Sequence, residues 1–236
     1  MRDREIHYLC IVDMNSENLV SLFTLANASR LTMGAVRTIS SGSTIIEFVA
    51  TGGDAASAAF IGRASRFASV SVASIEDISE TLKSESIIPV TEPCTLCIVK
   101  PHVIKAHESG RILSCITDGG FTIRGVFSVH LSPQIAEAFL DVYRDIYVPY
   151  SAMIEQICSS PVLAVMVTSS RSASIVEDFR ELAGPLNPEV AKAIRSESIR
   201  AKFGLNKAQN AVHCTDLPED GEMECRYIFD TVAGTI

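Results

Sequence analysis

Short apolar runs that stop at a polar residue recur along this chain and predict β-strands. Two of them, at residues 8–13 and 95–100, share the sequence Leu-Cys-Ile-Val, and a helical spacing of apolar residues follows each one. A further apolar run then predicts a second strand, at residues 33–39 after the first helix and at residues 121–127 after the second. The helical positions are Leu19, Leu22, Phe23 and Ala26 in the first case and Ile112, Leu113, Cys115 and Ile116 in the second. The pattern therefore predicts one strand–helix–strand unit that occurs twice.

A third predicted strand extends the repeat and shows that the first copy is shorter. Residues 44–51 resemble residues 161–168, and a helix follows each run, at 55–64 in the first copy. The offset between the copies grows by about 30 residues before this strand, so the first copy has lost the equivalent of residues 134–160, a stretch with helical spacing. It continues instead into residues 70–82, where another helix is predicted from Ile75, Ile78 and Leu82.

The repeat divides the chain into two predicted domains, residues 1–90 and residues 91–236. Pro89 and Pro93 bracket the boundary, which is typical of a short linker. A chance resemblance between short apolar runs is the alternative interpretation of the repeat.

Composition narrows the class of protein. Apolar residues make up 47% of the 236 residues and charged residues 20%, which indicates a globular chain with enough material for a core. The net charge of −8 argues against a nucleic-acid partner, because binding to phosphates needs a basic surface. No apolar run is long enough to span a membrane, and the mixed charges of residues 1–5 argue against a secretory signal. Seven cysteines, an odd number, favour reduced thiols and a cytoplasmic location.

The charge balance reverses locally between residues 192 and 207. Five cationic side chains stand there against Glu197 alone, in a protein that is acidic overall. Such a reversal indicates an anion site for phosphate or carboxylate. A solvated basic helix face is the alternative.

A histidine follows this basic stretch. His213 lies in a short apolar run, and Thr215 and Asp216 after it are residue types that cap a following helix. A histidine beside an anion site can act as a general base or accept a phosphoryl group. The alternative is a structural histidine.

Several spaced motifs together resemble the nucleoside diphosphate kinase family. They are Lys100-Pro101, Arg180, Leu182-Ala183-Gly184-Pro185, Asn187-Pro188, the run from Ile199 to Gly204, and Asn210-Ala211-Val212-His213. In that family an Asn-x-x-His-Gly-Ser-Asp signature carries the phosphorylated histidine. The resemblance covers residues 94–230 and is closest to the second kinase domain of the tandem, cilium-associated members. It implies an α/β (α+β) fold, a ferredoxin-like antiparallel sheet with helices on one face, complete once and abbreviated once.

The resemblance also implies roles for individual residues. His213 would accept the γ-phosphate of a nucleoside triphosphate and pass it to a diphosphate, while Glu224 holds the imidazole tautomer. The bound phosphates would be neutralised by Lys100, Arg180 and Arg200. The nucleotide would also be held by Asn210 and Thr215. Mg²⁺ would arrive with the nucleotide and need no dedicated protein cage.

The same resemblance assigns residues 134–160 to a lip that clamps the nucleotide, with Tyr150 as a base-stacking aromatic. Leu186 replaces the phosphate-binding threonine of the family, and Cys214 replaces the glycine after the histidine. Losing one hydrogen bond to a charged phosphate costs roughly 1.5–3 kcal/mol, so we expect a kinase with reduced activity. The alternative function is a structural component of ciliary or flagellar doublet microtubules, with tubulin and axonemal proteins as partners.

The first copy is expected to lack a site. Asp13 stands where the second copy has Lys100, and the histidine loop and the lip have no equivalents. We therefore expect this copy to be a packing partner that replaces the second subunit with which such domains usually pair. Cys94 and Cys97 have the spacing of half a zinc or redox motif, but no second pair follows, which favours ordinary strand cysteines.

Overall fold

The computed structural model describes residues 5–13, 16–29, 31–39, 43–51, 54–66, 68–72, 88–90, 93–146, 149–171 and 174–233. Its centre is one antiparallel β-sheet of eight strands. The strands are β1 (Glu5–Asp13), β2 (Thr32–Thr38), β3 (Ser43–Thr51), β4 (Ser69–Val72), β5 (Thr95–Val99), β6 (Thr122–Val129), β7 (Val162–Thr168) and β8 (Val212–Cys214).

The order of the strands repeats about the middle of the sheet. From one edge to the other it is β4-β1-β3-β2-β6-β7-β5-β8. Outward from the junction of β2 and β6, both halves place their second, third, first and fourth strands in that order. The two halves of the chain thus share one continuous sheet, whereas the predicted boundary between residues 90 and 91 stays a prediction.

Side-chain hydroxyls close the seam between β2 and β6. Arg37 pairs with Phe127 across the seam. Ser128 Oγ accepts a hydrogen bond from the backbone N–H of Val36 at 2.8 Å and donates to the carbonyl of Gly34 at 3.2 Å. These bonds give partners to two backbone groups of β2 near the Arg37–Phe127 pair, so the hydroxyl stabilises the junction.

The described helices lie on both faces of the sheet, so the prediction of helices on one face is wrong. They are α1 (Ser16–Ala28), α2 (Asp54–Ala64), α3 (Pro101–Lys105), α4 (Ser109–Asp118), α5 (Pro133–Phe139), α6 (Tyr150–Ile157), α7 (Ile175–Ala183), α8 (Pro188–Ile194), α9 (Ile199–Phe203) and α10 (Gly221–Arg226). Alternate residues of β5 explain both layers: Cys97 and Val99 join a core with α1, α4 and α7, while Leu96 and Ile98 join a second core with α5, α6 and α10.

Helices α1 and α4 are in very close contact across the seam. A Cβ atom on Gly110 of α4 would lie 2.7 Å from the backbone N of Thr24 and 2.8 Å from the carbonyl carbon of Phe23. Only glycine fits there without moving a helix. Helix α1 of the first half therefore packs directly against helix α4 of the second half.

Most predicted elements are present at the expected places. The predicted helical stretch at 134–160 contains α5, a short 3₁₀ helix at Asp141–Tyr143, and α6. The helix predicted from residue 70 is wrong at its start, because Ser69–Val72 pairs with β1 as strand β4, and Ile75, Ile78 and Leu82 lie outside the described residues. Cross-strand pairing along β1 outweighs the local helical spacing.

The predicted linker packs closely where it is described. Ile88 and Val90 are buried in the core that contains α5 and α6, and the N–H of Ile88 donates to the carbonyl of Thr38 at 3.1 Å. All seven cysteines are free thiols. Within the described part of the chain, no helix has the length and apolar character needed to cross a bilayer.

Candidate active site

Strand β8 carries His213 into the protein at the outer edge of the sheet. His213 pairs with Ile98 of β5, and its side chain is 8% exposed. Two residues earlier, Ala211 has a φ of 72° and is buried, a conformation that alanine rarely adopts. Strained backbone of this kind is held in place by its surroundings and often marks a functional site.

A carboxylate from α10 fixes the imidazole. Glu224 Oε2 lies 3.1 Å from His213 Nε2 and accepts a hydrogen bond from Thr215 Oγ1 at 2.8 Å. Since the carboxylate accepts, Nε2 is the nitrogen that carries hydrogen, and Nδ1 is the nitrogen with the lone pair. Glu224 is therefore placed to hold the imidazole tautomer, and its role in a reaction stays a prediction.

Thr215 and Asp216 do not cap the next helix, which corrects the expectation from their residue types. Thr215 Oγ1 also accepts from the N–H of Leu96 at 3.1 Å, so it connects β5 to Glu224. Helix α10 follows a 3₁₀ turn at Pro218–Asp220, and its N-cap residue makes no side-chain cap. The turn separates these two residues from the helix start.

A cationic side chain, Lys100, follows the end of β5, the strand that pairs with the strand of His213. Lys100 is buried, and its Nζ donates to the carbonyl of Ala208 at 3.0 Å. Burial, followed by repulsion from Arg200, lowers the pKa of Lys100 to about 7. Binding an anion nearby would favour the charged ammonium.

Arg200 lies in α9 with its guanidinium buried among backbone carbonyls. It donates to the carbonyl of Gly184 at 2.6 Å and to that of Val212 at 3.1 Å, and its Nη2 is 3.5 Å from Cys214 Sγ. These bonds fix the cation between the strand of the histidine and the end of α7. The cysteine that replaces the family's glycine therefore contacts Arg200.

Asn210 presents an acceptor that lacks a partner. Its Nδ2 donates to the carbonyl of Leu186 at 3.1 Å, while Oδ1 is buried and makes no hydrogen bond. A buried polar atom without a partner is costly and points to a ligand or a water molecule. A hydroxyl or ammonium group in the cavity would satisfy it.

Arg180 is the predicted phosphate ligand that the structure leaves outside. It is exposed, and its Nη1 donates to the backbone carbonyl of Asp216 at 2.6 Å. The Asp216 carboxylate in turn accepts from the Tyr143 hydroxyl. Arg180 lines an open pocket of about 420 Å³ together with Arg200 and Leu186, two residues that also line the cavity of His213.

The cavity at the histidine is small. It measures about 20 Å³, room for one water molecule, which needs roughly 10–15 Å³ by this measure. The predicted residues that line it are Lys100, Arg200, Asn210 and His213, and its other walls are Leu140, Tyr143, Met153, Ile157, Leu186 and Val212. The structure thus brings four predicted residues together and closes them under α5 and α6.

Two predictions about the surroundings concern Tyr150 and the basic stretch 192–207. The Arg144 guanidinium lies 5.4 Å from the ring centroid of Tyr150, and stacking of that ring on a base stays a prediction. In the basic stretch, the cations other than Arg200 are exposed, with Arg195 paired to Glu181 and Lys202 to Glu197. Arg195 and Arg200 nevertheless line one open pocket together with Arg180, and an anion site there stays a prediction.

Sequence reasoning missed the aromatic contacts of the histidine. The Phe139 ring meets the His213 ring edge-on with centroids 5.0 Å apart, and it stacks on Tyr227 at 5.8 Å. Tyr143, which lines the cavity, was missed as well. The helical spacing marked Phe139 as apolar, but nothing local in the sequence indicates which side chain it faces.

The described residues contain no cluster of three histidine, cysteine or carboxylate side chains placed to hold a metal ion. The carboxylates nearest the histidine are occupied, since Glu224 binds His213 and Thr215, and Asp216 binds Tyr143. A divalent cation bound here would therefore take most of its oxygen ligands from a bound phosphate-containing molecule and few from the described protein side chains.

Comparison with known proteins agrees with this arrangement. The family model described as "Nucleoside diphosphate kinase" matches residues 93–233. The chain is 42% identical over 136 residues to "Nucleoside diphosphate kinase homolog 7" of Mus musculus, which covers 58% of this chain and 34% of that protein. It is 33% identical over 135 residues to the nucleoside diphosphate kinase of Aquifex aeolicus, covering 57% of this chain and 92% of that one.

Solved structures give the same result. A crystal structure of the Aquifex aeolicus nucleoside diphosphate kinase superposes with a TM-score of 0.54 and 31% identity, covering 59% of this chain and 96% of that one. The apo enzyme of Encephalitozoon cuniculi gives 0.53 and 25%, covering 60% and 92%. The chain spans about a third of the length of the homolog 7 relatives.

Proposed function

The chain belongs to the nucleoside diphosphate kinase family, and on that premise we propose that it moves the γ-phosphate of a nucleoside triphosphate to a nucleoside diphosphate through a phosphohistidine at His213. The observation that carries the proposal is the hydrogen-bonded pair of His213 and Glu224, with Nε2 and Oε2 3.1 Å apart, together with a cavity that buried His213 lines alongside Lys100 and Arg200. A lone structural histidine would not need two buried cations beside it.

The transfer occurs in two half-reactions. The lone pair on His213 Nδ1 attacks the γ-phosphorus, the bond from that phosphorus to the bridging oxygen breaks, and the diphosphate leaves with the electron pair. Glu224 holds the hydrogen on Nε2 and stabilises the ring as it gains positive charge. A second diphosphate then attacks the phosphohistidine and restores the neutral imidazole.

The two buried cations stabilise charge on the transferring group. Lys100 takes up a proton when an anion binds, because its pKa of about 7 is set by burial without a counter-ion. Arg200 is charged throughout and is held rigidly by carbonyls, so it needs no reorganisation during the reaction. Asn210 Oδ1 is the acceptor for a hydroxyl of the sugar or for Lys100.

Substrate enters as the magnesium complex of the nucleotide. The phosphates supply the oxygen ligands that Mg²⁺ prefers, which fits a site whose described carboxylates are already engaged. The cavity of about 20 Å³ is too small to hold a nucleotide, and an open pocket of about 420 Å³ shares Arg200 and Leu186 with it. Opening the cavity would displace the side chains of Leu140, Met153 and Ile157, which line it.

Phosphohistidine labelling tests the proposal. Incubation with γ-labelled ATP should give a label that is lost in acid and stable in alkali, and that His213→Ala abolishes. His107→Asn is the matched control, since His107 has a φ of 57° that asparagine tolerates and it lies outside the cavity. A label that survives His213→Ala would refute the proposal.

A second candidate is a structural role in ciliary or flagellar microtubules with a weakened kinase site. The supporting observation is the small cavity itself, whose wall beside Lys100 and Arg200 is formed by the apolar side chains of Leu140, Met153, Ile157 and Leu186. Co-sedimentation with taxol-stabilised microtubules tests this role. A protein that stays in the supernatant while it labels at His213 would exclude it.

A further inference from the structure

A groove with an apolar floor and an acidic rim runs between α10 and the segment that follows α5. Its volume is about 440 Å³, within the range of ligand-binding pockets in general. It is distinct from the cavity of His213, although Tyr143 lines both, and the ring of Phe139, which contacts His213, stacks on Tyr227 to form the floor. The proposed phosphotransfer does not use it.

The walls of this groove expose large apolar side chains. Val142 is 73% exposed, Ile146 77%, and Met223 60%, and Leu217 adds a fourth exposed side chain. Four of the nine exposed large apolar residues of the described chain therefore meet in one groove. Scattered exposed apolar residues are ordinary, but a contiguous group rimmed by polar residues is typical of an interaction surface.

The rim is negatively charged. Asp216, Asp220 and Glu224 line the groove, and residues 216–230 hold six carboxylates and one guanidinium, a net charge of −5. Asp216 also binds Tyr143 and Arg180, and Glu224 binds His213. That guanidinium, on Arg226, is already paired with Glu222 at 2.7 Å and Asp230 at 3.7 Å. Phosphates, anionic lipid and a second copy of this acidic surface are therefore repelled.

We propose that this groove docks a basic amphipathic helix of a partner protein. Aliphatic side chains on one face of that helix would bury Val142, Ile146, Leu217 and Met223, while lysine or arginine residues on its flanks meet the carboxylates of the rim. This is the helix-in-groove mode of recognition, with affinity from the apolar anchors and selectivity from charge.

The floor of the groove connects the docked helix to the catalytic histidine. Phe139 contacts His213 on one side and Tyr227 on the other, and Glu224 belongs to both the rim and the imidazole pair. This coupling rests on the proposed function, whereas docking itself does not. A protein without kinase activity would still bind the helix.

The test uses a fluorescent synthetic peptide with leucines along one helical face and lysines elsewhere, and a second peptide with glutamates in place of the lysines. Anisotropy with the full chain should show binding of the lysine peptide only. Met223→Asp should weaken it roughly tenfold or more. Ile194→Asp on α8, where the side chain is 67% exposed, is the matched control and should stay within about twofold of the unmodified chain.

The charge and the occupant are tested separately. Asp220→Lys should weaken the lysine peptide and flatten its dependence on salt. Equal weakening by Met223→Asp and Ile194→Asp would show non-specific attraction to an acidic protein and overturn the proposal. A dimer in sedimentation that Met223→Asp breaks would assign the groove to a second copy and overturn it too.

Discussion

Replacing Glu224 by glutamine tests the pair at the centre of the proposed mechanism. Glu224 Oε2 accepts from Thr215 Oγ1 at 2.8 Å and from His213 Nε2 at 3.1 Å. Glutamine has the same length and keeps one acceptor oxygen, so the change removes the charge and little of the packing. A hydrogen bond to a charged group is worth about twice a neutral one of about 1 kcal/mol.

The expected loss is therefore about 1–2 kcal/mol of stabilisation for the imidazole as it gains charge. This corresponds to a roughly five- to thirtyfold slower appearance of acid-labile label from γ-labelled ATP, measured by rapid quench. The nucleotide affinity should change much less, because Glu224 does not line the small cavity. A rate effect without an affinity effect is the expected signature.

Glu222→Gln is the matched control on the same helix. Glu222 is exposed and pairs with Arg226 at 2.7 Å, four residues further along, an interaction worth about 0.3–0.5 kcal/mol. The labelling rate should stay within about twofold of the unmodified chain. A Glu224→Gln protein that labels at the unmodified rate, or a Glu222→Gln protein that slows as much, would refute the reasoning.

Three further results are expected. Burial lowers the pKa of Lys100 to about 7, so the ammonium form is lost as pH rises through that value. The affinity for ADP, measured by calorimetry, should therefore fall between about pH 6 and about pH 9. The Lys100→Arg variant keeps its charge over this range and should flatten that fall. In urea unfolding, Gly110→Ala should lower the free energy of unfolding by about 1–3 kcal/mol, because the added Cβ clashes with α1. Gly62→Ala should raise it by up to about 1 kcal/mol, because nothing lies within 4 Å of the added Cβ and alanine favours the helix. Ser128→Ala should lower the free energy of unfolding by about 1–3 kcal/mol, because it removes the hydroxyl at the seam. The control Ser65→Ala, at an exposed serine, should change it by less than about 0.5 kcal/mol. Equal effects of the two substitutions would refute a role for the Ser128 hydroxyl at the seam.

Local pattern predicted the strands and helices well where the apolar spacing was strong. The buried runs around Leu96 and Val165 are strands, and the helical spacing around Phe139 and Ile154 gives α5 and α6. The local pattern predicted a helix at Val70, where the structure has strand β4. The helical spacing came from residues further along the chain, and pairing with β1 outweighs it at this position. The face of the sheet that each helix covers could not be predicted either, because the apolar spacing of a helix does not indicate the side on which it packs.

The candidate site was found through residue types and their order. The structure places His213 beside Glu224 and in one cavity with Lys100 and Arg200, because strand β8 pairs with β5 and brings distant segments side by side, while their roles stay predictions. Arg180 lies at the surface instead, where it donates to the carbonyl of Asp216, a hydrogen bond that cannot be read from sequence, and its role as a phosphate ligand also stays a prediction.

The sequence by itself determined the family and the repeated strand–helix–strand pattern and marked His213 as the candidate nucleophile, because these depend on residue types at fixed spacing. The tertiary structure alone decided that both halves share one sheet, that the cavity is closed to about 20 Å³ and that an acidic apolar groove lies beside it. Each of these features depends on how segments that are far apart in the chain are placed relative to one another. Such placements follow from the packing of whole elements, which no local pattern encodes.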